Sequence, residues 1–390
     1  MIRVSWMAGL ILAGQIAVGG AFAQDERPQL IRLGQSAAFS GPASELGKEM
    51  RLGIEAAVLE ANTKKVIPNA RLAFSYLDDA YEPNLAINNA RELINLRQVF
   101  VLIGQVGTPT SRAAAPVAAE LNIPFIAPFT GAALLRDVKQ LPNVVNFRAS
   151  YRQELDEMID RLIGDRGIKR IGILYQNDSF GRSGYADAVS SLERYGLKPV
   201  SSGSYERNTR AVKTAVIDLE LGQPEAVILV GAYQPAAEAI KWSKHIGFNP
   251  LFFNISFVGS RALERELGPG DYEVFMTQVA PDFHSEDLAI ARDYRNALEA
   301  VWPGSEPNYV SFEGYISVRM LIAAIQRCTD SLERACLLEQ FRSSEPFELG
   351  GIGLTFGPED NQGSDQVYLT QFHRRGEFVS VESLNSLRSP

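Results

Sequence analysis

Two hydrophobic periods alternate along most of the chain. Short apolar runs fall at 31–39, 71–77, 99–103 and 123–127, and amphipathic stretches lie between them. Within 44–62, Met50, Ile54, Ala57, Val58 and Ala61 share one helical face, as Ala86, Ala90, Leu93 and Ile94 do in the following stretch. Apolar runs bounded by turn residues predict buried strands, and strands alternating with helices predict a parallel, doubly wound sheet. The rhythm restarts near 144–148. It predicts a helix over 151–165, a strand over 170–175, a helix reaching 195, a strand near Val200 and a helix over 210–221. Strands at 226–230, 251–254 and 274–279 follow, then helices at 285–301, 308–327 and 332–342, and two last strands at 351–356 and 366–373. Two units of similar size and rhythm predict two lobes.

The densest stretch is 99–131. Its two apolar runs flank a helix that starts at Thr108-Pro109, a hydroxyl followed by a proline where a missing N–H costs nothing. Both strands end in small, polar loops, the second at Pro128-Phe129-Thr130-Gly131. The carboxyl ends of parallel strands are where open α/β sheets bind ligands, and a helix start offers amide donors to an anion. Thr108, Thr110 and Ser111 add hydroxyls there. A purely structural strand–helix–strand unit explains the same residues, so this stretch alone decides nothing.

The first residues change the address. Arg3 precedes an apolar run over 4–18, and Ala21-Phe22-Ala23 supplies a small-x-small cleavage site. This predicts a signal peptide over 1–23, cleavage after Ala23 and a soluble periplasmic chain from Gln24. The net charge of −8 argues against nucleic acid or an anionic membrane surface as partner. Cys328 and Cys336 are the only cysteines, and in an oxidising compartment they form either a bridge across a polar turn or two buried thiols.

Catalytic equipment is missing. His245, His284 and His373 are scattered, which predicts no metal site. Gly34-Gln35-Ser36-Ala37-Ala38 lacks the second glycine of a nucleophile elbow, and the glycines of 350–357 are misplaced for a dinucleotide loop with no helix after them. No cofactor is expected. Export, two lobes and no catalytic constellation point to a binding module.

Several segments resemble the type 1 periplasmic-binding proteins of the leucine/isoleucine/valine-binding family. They are IRLGQSAAFSGP at 31–42, YLDDAYEP at 76–83, IGQVGTPTSRAAAPVA at 103–118, IPFIAPFTGA at 123–132 and FRASYRQE at 147–154. ILYQNDSFG at 173–181, VGAYQPA at 230–236 and FGPEDNQGSDQVYLTQF at 356–372 continue the match in order. The resemblance implies an α/β fold of two Rossmann-like lobes with parallel sheets, joined by a three-segment hinge. It places one lobe at 30–147 plus 281–350 and the other at 148–280 plus 351–390, with crossovers near 147–148, 280–281 and 350–356. It implies a monomer that carries a small molecule to an ABC permease in the inner membrane, or that serves a membrane receptor as a sensor.

By that resemblance, Thr108 stands at the ligand carboxylate, and Phe129, Thr130 and Gly131 in the loop beside it; Thr110 is expected there too, for its hydroxyl at the helix start. Phe180 and Tyr233 stand where second-lobe aromatics close over the ligand, and Tyr151, Phe39 and Phe257 lie nearby by motif. Amino-acid binders of the family carry an acid for the ligand ammonium where this sequence reads Asn254-Ile255-Ser256. An ammonium buried without a carboxylate is costly. The expected ligand is therefore a small organic carboxylate with an apolar or aromatic body, with Ser256 facing it. Asp282 or Glu45 could serve an ammonium instead, which keeps branched-chain or other amino acids and amides as the alternative. An exported hydrolase using Ser36 is the remote one.

Overall fold

The computed structural model describes Met1, residues 28–328 and residues 332–385. The signal-peptide expectation falls outside the described residues. The first body comprises β1 (Gln29–Ala37), α1 (Ser44–Lys64), β2 (Ala70–Asp78), α2 (Pro83–Asn95), β3 (Val101–Ile103), α3 (Thr108–Glu120), β4 (Phe125–Ile126) and β5 (Val144–Val145). Its five strands pair in parallel in the order β2-β1-β3-β4-β5. The order reverses between β1 and β3, which opens a crevice at the carboxyl ends of those strands.

The second body follows with α4 (Tyr151–Arg166), β6 (Ile171–Gln176), α5 (Ser179–Glu193), β7 (Ser201–Tyr205), α6 (Lys213–Leu221) and β8 (Ala226–Val230). Then come α7 (Tyr233–His245), β9 (Leu251–Asn254), α8 (Ser260–Leu267) and β10 (Val274–Gln278). α4 begins on a capping box: the Ser150 hydroxyl accepts from the Gln153 backbone, and the Gln153 side chain reaches back to Ser150. β8 is buried at all five positions, as a parallel strand covered on both faces must be.

α9 (Ala289–Val301), α10 (Tyr309–Arg327) and α11 (Arg334–Arg342) return to the first body, where α10 lies along α1. A short hairpin, β11 (Phe347–Glu348) and β12 (Gly353–Leu354), precedes β13 (Tyr368–His373) and β14 (Glu377–Ser380). The second sheet runs β14-β13-β10-β9-β8-β6-β7, and its last two strands are antiparallel because a tight turn rather than a helix joins them. Cys328 and Cys336 are bridged, with Cα atoms 6.0 Å apart.

Three passages link the bodies: 146–150, 279–288 and 355–367. The third runs beside the first, with Asn146 N–H donating to Asn361 O at 2.7 Å and Ser364 N–H to Phe147 O at 3.0 Å. It lies later than the expected 350–356. Phe356 still packs on Phe341 and Phe347, beside α11 and β11, and the chain rejoins the large sheet only at Tyr368. Among the described residues no helix is long and apolar enough to cross a membrane.

Candidate functional site

The carboxyl ends of β1, β3 and β4 face those of β6, β8 and β9, and α3 meets α5 between them. On the first side, Gly107 precedes α3 at φ 101°, and a Cβ there would lie 2.1 Å from the Tyr81 ring. Glycine is therefore required for the chain to turn into the helix against that tyrosine. No side chain caps α3. Thr108 and Thr130 pair through their hydroxyls at 2.7 Å, both fully buried. Gly131 lets Tyr151 approach, since a Cβ would stand 2.6 Å from its ring. The Tyr151 hydroxyl lies among Thr130, Thr108 and Arg148, and burial raises its pKa while Arg148 opposes the rise. That hydroxyl is within reach of the Thr130 and Thr108 hydroxyls, and the buried hydroxyl of Tyr81 within reach of the Gln176 side chain.

The second side supplies rings. Tyr151 and Phe180 lie 5.4 Å apart, Phe180 and Phe257 4.6 Å apart. Phe257 crosses to Phe129 at 5.5 Å and to Tyr81 at 6.2 Å. All five are buried, so the rings meet directly across the cleft. Polar contacts tie its rim. Arg207 and Asn208 each donate to Glu82 at 2.7 Å, Arg265 pairs with Glu45 at 3.0 Å, and the Glu45 N–H donates to the Tyr233 hydroxyl at 3.4 Å.

Charge is concentrated at the floor. Arg148 is 1 % exposed, in the first passage. Its Nη2 donates to the Ser256 hydroxyl at 2.6 Å and to Glu313 at 3.1 Å, and its guanidinium lies over the Phe129 ring at 4.4 Å. Ser256 gives both its N–H and its hydroxyl to Glu154, which also accepts from Thr277. Burial pushes Glu313 up to about 7, with Arg148 opposing. Burial and then the nearby Arg148 bring Arg136 down to about 10.

Of the expected site residues, Thr108, Phe129, Thr130, Gly131, Tyr151 and Phe180 come together. Thr110 turns away, its hydroxyl donating to Val106 O at 2.5 Å and Gly107 O at 3.1 Å. Tyr233 sits at the rim against Glu45. Ser256 is beneath the rings with its hydroxyl committed to Arg148 and Glu154. Phe257 is central, whereas Phe39 packs outward on Tyr76 and Arg51. Asp282 lies apart, near Ser380, and Glu45 is held in the rim pairs. The Ser36 hydroxyl donates to Asp79, a carboxyl that burial lifts to about 7. Arg148, Glu154 and Glu313 were not anticipated. The available signal was FRASYRQE, which sets an arginine and a glutamate beside a buried strand end.

Two parallel-sheet bodies on three passages, with a lined cleft at both sets of strand ends, define a two-lobed solute-binding protein. Residues 30–377 match the model of the periplasmic binding protein family, and the chain belongs to that family, of the Leu/Ile/Val-binding type. It is a binding protein and not an enzyme. A crystal structure of a possible leucine/isoleucine/valine-binding protein from Rhodopirellula baltica SH 1 is 37% identical, with a TM-score of 0.88 over 94% of this chain and 100% of that one. A Leu/Ile/Val-binding protein homolog 7 of Brucella abortus is 23% identical over 90% of this chain and 91% of its own length. The structure of a branched-chain amino acid ABC transporter from Thermus thermophilus with bound valine shares the fold at 18% identity and a TM-score of 0.79, over 91% of this chain and 96% of that one.

Proposed function

We propose that the chain is the solute-binding component of an ABC importer and that its cleft takes a small organic carboxylate with an apolar or aromatic body. The lobes part on the three passages to admit the ligand and close over it. The signal peptide over 1–23 exports the chain, cleaved after Ala23. Thr108, Thr130 and the uncapped start of α3 hold the carboxylate. Phe129, Tyr151, Phe180 and Phe257 enclose the body, so that closure desolvates both ends.

The observation that carries this reading is the state of Ser256. In the family's pattern an acid at that position serves an ammonium. Here the hydroxyl there is already paired with Arg148 and Glu154. An ammonium would meet a guanidinium, and the acids beside it, Glu154 and Glu313, already serve Ser256, Thr277 and Arg148, an arrangement with a large desolvation cost. The names of the relatives favour a second reading, branched-chain amino acids. A thermal-shift panel on the purified mature chain separates the two, because a ligand that binds only the folded state raises its apparent stability. The panel holds 4-methylpentanoate, phenylacetate, leucine and valine. Shifts with the two acids and none with leucine or valine support the carboxylate reading. A shift with leucine or valine alone overturns it.

A further inference from the structure

Arg148 is more fully buried than its hydrogen bonds explain. One of its three nitrogens, Nη2, makes both of its hydrogen bonds, to Ser256 and Glu313, while Nε and Nη1 are buried with no acceptor. A buried unpaired donor is costly, and more so when it carries charge, so structures seldom retain two on one side chain. The neighbouring acids do not remove the imbalance. Glu154 spends its two oxygens on the Ser256 N–H, the Ser256 hydroxyl and the Thr277 hydroxyl. Glu313 meets Arg148 through a single contact, on Nη2. Arg136, the next cation, is occupied by Gln362, Ala132 O and Arg148 O.

Position gives the unpaired donors a direction. The guanidinium stacks on Phe129, the residue before Thr130, and Tyr151 lies close enough to feel its charge. The Thr108–Thr130 hydroxyl pair, the Tyr151 hydroxyl beside it and the Arg148 guanidinium over Phe129 are therefore neighbours at the cleft floor. Charge-assisted donors in a site shielded from water strongly favour a full anion over a neutral isostere.

We propose that Arg148 is the specificity-determining residue of the cleft: its unpaired nitrogens bind the ionised head of the ligand and make the site select acids over their amides. This rests on the carboxylate reading above and extends it from the shape of the ligand to its charge. An acid satisfies the guanidinium; the matching amide offers one acceptor oxygen and brings a nitrogen whose hydrogens face other donors.

The test is titration calorimetry with two matched pairs, phenylacetate and phenylacetamide, and 4-methylpentanoate and 4-methylpentanamide. The wild-type chain, Arg148→Gln and Arg148→Lys are compared, with melting temperature recorded for each. The wild type is expected to bind each acid roughly 10- to 100-fold more tightly than its amide, the range of one hydrogen bond to a charged group. Arg148→Gln is expected to bring that ratio close to one mainly by weakening the acid, and Arg148→Lys to keep an intermediate ratio. A wild-type ratio near one overturns the proposal without any variant. So does an unchanged ratio in Arg148→Gln, whatever its melting temperature, because a structural role alone moves stability and not the acid-to-amide ratio. Binding of leucine with no response to either acid removes the carboxylate reading itself and this proposal with it.

Discussion

The helix starts at α3 and α5 lie in different lobes and meet across the cleft, yet their chemistry is opposite. α5 caps itself: Asp178 accepts from the Phe180 and Gly181 N–H groups at 2.9 and 3.2 Å. α3 has no side-chain cap and is flanked by the Thr108–Thr130 hydroxyl pair. A helix whose first donors are satisfied by its own carboxylate has little to offer an anion; one without a cap does. The second lobe accordingly brings the ring of Phe180 to the cleft and the first brings hydroxyls. On the proposed reading, the polar end of the ligand goes to the first lobe, and its apolar body lies between Phe129 of that lobe and the rings of the second.

The comparison can be broken at several points. Gly131→Val carries the largest expected effect. Its branched side chain would collide with Tyr151, and overpacking of this kind costs about 1–3 kcal/mol of stability. Binding of the carboxylate should be lost together with the lowered denaturation midpoint. Phe180→Ala should weaken carboxylate binding by roughly 1–3 kcal/mol, the contribution of one large buried side chain. Unchanged affinity by calorimetry would remove Phe180 from the ligand's surroundings.

The sharpest contrast pairs Asp178→Ala with Thr108→Val. Loss of the cap should cost about 0.5–2 kcal/mol of stability. Thr108→Val also breaks the buried hydroxyl pair with Thr130 and costs stability, but unlike the cap variant it should lower affinity for the acid by about tenfold, the lower end of the range for a hydrogen bond to a charged group. Urea denaturation and calorimetry on both variants would show whether the two helix starts are as different as their geometry.

A pH-dependent effect concerns Glu49, on α1 beside the rim pair of Glu45 and Arg265. It is 3 % exposed, and burial lifts its carboxyl from 4.5 to about 8, with Arg265 opposing from 3.9 Å. The folded chain holds this proton across a range in which the unfolded chain has released it, so this group makes stability fall as pH rises from about 4.5 to about 8. Glu49→Gln removes that contribution. The variant should gain stability relative to wild type between pH 5 and pH 9, and an identical difference at both pH values would show that Glu49 does not titrate as described.

The strand–helix rhythm was legible because buried parallel strands read as short apolar runs and their helices as amphipathic ones. The Thr108–Thr130 side of the cleft was legible too, because both loops lie within one strand–helix–strand unit. The floor was not. Arg148, Ser256 and Glu313 are 108 and 165 residues apart along the chain, and only the three passages bring them together. Ser256 was expected to face the ligand because its loop does, but an adjacent guanidinium and the Glu154 carboxylate claim its hydroxyl. Thr110 was expected for its hydroxyl, which the turn of α3 uses on its own carbonyls. The third passage was placed at 350–356 by family resemblance alone, whereas Phe356, packed on Phe341 and Phe347, keeps that segment with the first body.

The most direct test of the division of labour between the lobes is a crystal structure of the mature chain grown with phenylacetate. The carboxylate oxygens should lie within hydrogen-bonding distance of the Thr108 and Thr130 hydroxyls and of Arg148, with the phenyl ring against Phe180 and Phe257. A ligand lying the other way round, with its carboxylate toward the α5 start and Asp178, would contradict it.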